Sequence, residues 1–133
     1  MELFKHTGIL HYSTSGPYRL VVDVNPELAA YYRALMPKYL RLISGRYPAH
    51  VTVVRVGRDE PKNLSVWGKY EGKHVEFCYE PGIHSGKDYY WLRVLSKQLE
   101  EIRAELGLEL DVYATPPLPF IKYFHLTIGN TKL

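Results

Sequence analysis

The chain has 133 residues, a single cysteine (Cys78), a net charge of +3, and 46% hydrophobic and 23% charged residues. That length suits one domain with its own core, and a lone cysteine rules out an internal disulfide or a cysteine-based metal cage and implies a reducing, cytoplasmic setting. The mild positive charge fits a small anionic ligand better than duplex DNA, whose binders carry denser basic clusters, and neither a membrane-spanning apolar run nor a signal peptide is expected.

In chain order, residues 2–13 read as a strand interrupted by Gly8, followed by a turn at 13–17 and a β-rich run at 18–24. Asn25-Pro26-Glu27 is a helix start: asparagine caps, proline suits the first helical position, and glutamate favours the positive end. Leu28, Tyr31, Tyr32 and Leu35 then recur at helical spacing until Pro37. A strand is predicted over 49–56, a polar connection over 58–63 and a turn over 68–73. Residues 74–80 alternate as a strand with Val75, Phe77 and Tyr79 on one face, 81–87 form a loop, and 88–95 form another strand. Ser96 caps a helix running to about Leu106, with Leu99, Ile102 and Leu106 on its buried side and Gly107 ending it. The proline-rich stretch 111–122 is stiff and extended, and a last strand covers 123–129. No linker divides the chain, so residues 1–133 are read as a single α+β domain, with helices packed outside antiparallel sheets.

Two of these strands carry nearly the same text 75 residues apart: His50-Val51-Thr52-Val53 and His125-Leu126-Thr127-Ile128. Side chains at i and i+2 leave the same face of a strand, so each segment presents an imidazole beside a hydroxyl while its apolar residues point into a core. A single His-x-Ser/Thr is a common pattern, and His11-Tyr12-Ser13 also satisfies it. The duplication with matching apolar context is the informative feature. Histidine titrates near neutrality, so a pair can serve as general acid and base, and threonine hydroxyls can donate to phosphate oxygens. Neither segment has a carboxylate or cysteine at metal-ligand spacing, so neither a metal nor a cofactor is expected. His6, His11, His74 and His84 are read as surface or structural.

The paired motif resembles the two-histidine (2H) phosphoesterase superfamily, whose members carry two H-x-T/S-x strands in pseudo-symmetric halves. The segments Tyr47-Pro48-Ala49-His50-Val51-Thr52-Val53-Val54-Arg55, Trp67-Gly68-Lys69-Tyr70 and Phe124-His125-Leu126-Thr127-Ile128-Gly129-Asn130-Thr131-Lys132 are similar to the short phage anti-CBASS nucleases of that superfamily. The resemblance implies a bilobal, pseudo-symmetric domain with sheets lining a central cleft. It also implies a metal-independent phosphodiesterase acting on cyclic di- or trinucleotide signals, in the host cytoplasm if the source is viral. His50, Thr52, His125 and Thr127 would be catalytic; Tyr12 and Trp67 would contact nucleobases, the alternative being packing in the core or at the domain edge, and Tyr123, which shares strand parity with His125, would line the cleft as a further substrate-binding residue. It departs at the C terminus, where those nucleases have a longer tail that helps close the site and only five residues follow Ile128. RNA 2′,3′-cyclic phosphate processing is the enzymatic alternative, and a non-catalytic RNA-binding module the alternative of another class. Which histidine is acid and which base, and the oligomeric state, stay open at this level.

Overall fold

The structure, a computed structural model, describes residues 2–109 and 124–132. Six strands are found: β1 (Phe4–Tyr12), β2 (Leu20–Asp23), β3 (His50–Val54), β4 (His74–Gly86), β5 (Tyr89–Leu95) and β6 (Phe124–Asn130). Every pairing is antiparallel, and the order β1-β2-β3-β6-β5-β4 closes on itself into a barrel. The expected mixture of helices and antiparallel strands is present. Its arrangement is one closed sheet rather than two sheets flanking a cleft.

Two helices accompany the barrel, α1 (Pro26–Ala34) and α2 (Lys97–Glu105). The Asn25 side chain accepts the Glu27 N–H at 2.9 Å, and the Ser96 hydroxyl accepts the Leu99 N–H at 3.3 Å, so both predicted caps operate. The apolar face of α1 differs from the sequence expectation. Ala29 and Tyr32 are buried, whereas Tyr31 and Leu35 are each 60% exposed. The helix is therefore rolled so that small Ala29 lies against the sheet, and α1 packs on β6. Helix α2 packs against β4 and β3. Those strands lie across the barrel from each other, so α2 spans one mouth and sinks Leu99, Ile102 and Leu106 into the core.

The interior is filled by alternating strand residues, as a barrel of this size requires: Leu10, Val22, Val51, Val53, Val75, Phe77, Leu92, Val94, Leu126 and Ile128 are all at most 2% exposed. Gly8 does not interrupt β1. A Cβ there would lie 2.4 Å from Val22 Cγ1 and 2.6 Å from the Asp23 carbonyl oxygen, so glycine permits the close approach of β2. Residues 81–86, expected as loop, continue β4. The register shift between Tyr79 and Ile83 leaves Pro81 and Gly82 in a bulge, and pairing with β5 resumes at Ile83↔Leu92. A proline that cannot donate to a ladder is tolerated at such a bulge. The expected extended segment 111–122 lies outside the described residues. Among the described residues, no helix is long and apolar enough to cross a membrane.

Candidate active site

The barrel makes the two motif strands neighbours. Val51 stands opposite Leu126 in the β3–β6 pair, and both are fully buried. Directly opposed residues in an antiparallel pair share a face, and the face alternates along each strand. Thr52 therefore stands opposite His125, and His50 opposite Thr127, all four on the outer face. The next strand extends both rows, with Arg93 opposite His125 and Trp91 opposite Thr127 on β5, and His84 opposite Trp91 on β4. On the other side Asp23 of β2 stands opposite His50. Thus histidine–threonine pairs that are 75 residues apart in the chain form one block across five strands.

The two histidines sit in different environments. His50 Nδ1 lies 2.7 Å from the Pro48 carbonyl oxygen. A carbonyl only accepts, so Nδ1 carries a proton, and Nε2 is the ring nitrogen left to exchange one. His125 is half-buried, with its ring 5.2 Å from that of Trp91. Burial first, then the positive charges of Arg93, His84 and Arg55, push its pKa down to about 4. His84, stacked on the other side of Trp91 at 6.5 Å, is also lowered, by burial and by Arg93. The buried Nε2 of His125 and the buried Nε1 of Trp91 make no hydrogen bond in the structure. Two adjacent buried ring nitrogens without partners are costly for a folded protein to keep unless a ligand or water satisfies them.

The depressed pKa of His125 has a consequence for stability. Its folded value lies below the ordinary 6.5, so as pH falls the unfolded chain takes up the proton first. The associated stability is complete above about pH 6.5, declines below it and is lost by about pH 4, totalling up to roughly 3 kcal/mol. His125→Gln should therefore lose less stability than the parent between pH 7.5 and 4 in urea unfolding. Equal losses would show that His125 titrates as it does in the unfolded chain.

Beside the block, an open groove of about 1280 Å³ runs between α1, residues 43–49 and the end of β6. His50 and Thr127 are in its wall, whereas Thr52 and His125 do not line it. The groove is braced by the Arg33 guanidinium of α1, which donates to the Ile128 carbonyl at 2.6 Å. It is braced again by a two-way backbone bridge between Ile43 and Asn130, each bond 2.9 Å. Among the described residues, no three His, Cys, Asp or Glu side chains gather as metal ligands would.

The expected aromatic contacts fare differently from the His-Thr pairs. Tyr12 is 5% exposed inside the barrel, its ring edge-on to Trp67 at 5.0 Å, and burial pushes its hydroxyl up to about 12. Trp67 packs on the core, meets Tyr18 edge-on, and donates its Nε1–H to the Ser13 carbonyl at 2.8 Å. Both belong to the side of the barrel near α2, where Tyr70 bonds Glu105, and the structure does not bring them to the histidines. Tyr123 lies outside the described residues.

Sequence reasoning missed Trp91, Arg93 and His84. A Trp-x-Arg at strand spacing was the available signal, but nothing local says that β5 pairs with the second motif. Comparison with family models, curated proteins and solved structures finds no match.

Proposed function

We propose that this chain is a metal-independent phosphodiesterase that cleaves 3′–5′ bonds of cyclic di- or trinucleotide second messengers, countering a cyclic-nucleotide antiviral signal in the cytoplasm of a host cell. The observation that carries this reading is the outer-face block in which each histidine stands opposite the other motif's threonine. The antiparallel adjacency of β3 and β6 sets the two motifs side by side and running in opposite directions, which supports the reading.

In this reading the scissile phosphate lies over the block. Thr52 and Thr127 donate to its non-bridging oxygens, where charge builds in the transition state. His125 enters neutral, the state a base requires, and takes the proton of the substrate's 2′-hydroxyl. The 2′ oxygen attacks phosphorus, the bond to the 5′ oxygen breaks, and His50, entering this step as the imidazolium with Nδ1–H held by Pro48, gives its Nε2 proton to that leaving oxygen. The products are a 2′,3′-cyclic phosphate end and a free 5′-hydroxyl. The neighbouring hydroxyl is already held beside phosphorus, which removes much of the entropic cost of attack. The anionic phosphate also offsets the cations around His125 and raises its basicity once substrate is bound.

The test is a substrate pair measured in excess EDTA. Cyclic diadenylate should be cleaved in chelator, and its 2′-deoxy counterpart should bind without being cleaved. Efficient cleavage of the deoxy compound would replace 2′ attack with attack by water. Activity lost in EDTA and restored by zinc would make the histidines metal ligands.

A further inference from the structure

We infer that the groove beside His50 and Thr127 is a binding site for a second nucleotide, with Tyr47 and Tyr89 as its base-stacking surfaces. The inference deepens the phosphodiesterase reading and rests on it for the position of the first phosphate. Its own evidence is the shape and chemistry of the groove. About 1280 Å³ exceeds the roughly 300–1,000 Å³ of sites for one small molecule, and the groove begins at two residues of the His-Thr block.

Its lining carries two exposed tyrosines. Tyr47 is 63% exposed and Tyr89 is 42% exposed. Each is already paired with a cation, Arg19 Cζ lying 5.8 Å from the Tyr47 ring centroid and Lys132 Nζ lying 4.8 Å from that of Tyr89. An exposed ring beside a cation is a platform for a nucleobase whose phosphate meets the same positive charge. Arg46, also in the groove lining and exposed, adds a third cation. Between them the α1 wall presents exposed Ala30, whose small side chain leaves room for a sugar. The combination of stacking faces, cations and an apolar floor continuous with the His-Thr block matches a nucleotide better than a peptide, which would look for an open strand edge or an uncharged apolar groove.

The experiment is calorimetric binding of deoxyadenosine 5′-monophosphate and of a 5′-phosphorylated deoxyadenosine dinucleotide to the parent protein and to the Tyr47→Ala and Tyr89→Ala variants. The dinucleotide is expected to bind at least about fivefold more tightly than the mononucleotide, and at least one tyrosine variant should lose about 5- to 100-fold in dinucleotide affinity. The mononucleotide should be affected less. Equal binding of the two ligands, or variants that bind the dinucleotide as the parent does, would overturn the inference. So would variants that change only self-association in sedimentation, which would make the groove a contact between copies. Binding does not depend on turnover. A dinucleotide held through Tyr47 or Tyr89 by a protein that cleaves nothing supports the groove and sinks the phosphodiesterase reading. Cleavage indifferent to both tyrosines does the reverse.

Discussion

His50→Ala and His125→Ala are each expected to lower turnover of a cyclic dinucleotide by about 10²–10⁴, the usual value of one positioned acid or base. The two should differ in other respects. His50 is at the surface end of β3, held through Nδ1 to Pro48, so its loss should leave unfolding unchanged while emptying the acid position. His125 is packed against Trp91 and kept neutral by burial and by Arg93, His84 and Arg55. The value of kcat/KM reports the free enzyme, so its acid limb in the parent should lie well below the ordinary histidine range. The titration near neutrality that the sequence leads one to expect of a histidine is thereby moved down for His125. Activity within a few-fold of the parent in either alanine variant would end the paired mechanism. An acid limb near 6.5 would return His125 to an ordinary environment.

The second large effect concerns an ion pair far from the surface. Arg103 of α2 is fully buried, and its guanidinium donates to Asp59 Oδ2 at 3.2 Å and to the Val53 carbonyl at 2.6 Å. Asp59 is 7% exposed and also accepts the Arg55 N–H at 2.8 Å and its guanidinium at 3.2 Å. Burial alone would raise the Asp59 carboxyl, but these hydrogen bonds from Arg55 and Arg103 outweigh it and hold the pKa below the carboxylate range. Asp59→Ala leaves a buried guanidinium short of its counter-ion, and should cost about 3–5 kcal/mol in unfolding free energy. In a domain of this size that corresponds to roughly 10–15 °C in Tm. The double variant Asp59→Ala/Arg103→Met should recover much of the loss, because an apolar replacement of a whole buried pair is often nearly neutral. A double variant as unstable as the single one would show that the Arg103 bonds to backbone carbonyls, rather than the ion pair, hold α2 in place. The link to function is direct: Val53 follows Thr52, so Arg103 fixes the backbone of the first motif.

Local chemistry made a good part of this protein legible. Asn25 and Ser96 announced their helices because a side-chain oxygen at the cap satisfies an otherwise unpaired N–H, a relation confined to three residues. Val75, Phe77 and Tyr79 were readable as a buried face by alternation, and so were the outward histidine and threonine of each motif, because strand geometry repeats every two residues. Nothing local could say that residues 50–54 pair with residues 124–130, or that the sheet would close on itself. Those outcomes depend on which apolar faces can share one interior, and they are settled only when all six strands are present together. The same cause explains the misreadings. Pro81-Gly82 looks like a break, yet β5 on one side carries β4 past it in a bulge. Tyr12 and Trp67 look like surfaces for a base, yet closure of the barrel places them in and against its core. The burial of Arg103 was not legible either, because the charge that permits it comes from Asp59, 44 positions earlier. The sequence by itself determined most of the elements and the placing of histidine beside threonine in each motif, because both rest on neighbouring residues. Tertiary structure alone decided that the pairs share one face with Trp91 and Arg93, because adjacency between distant strands is a property of the packed whole.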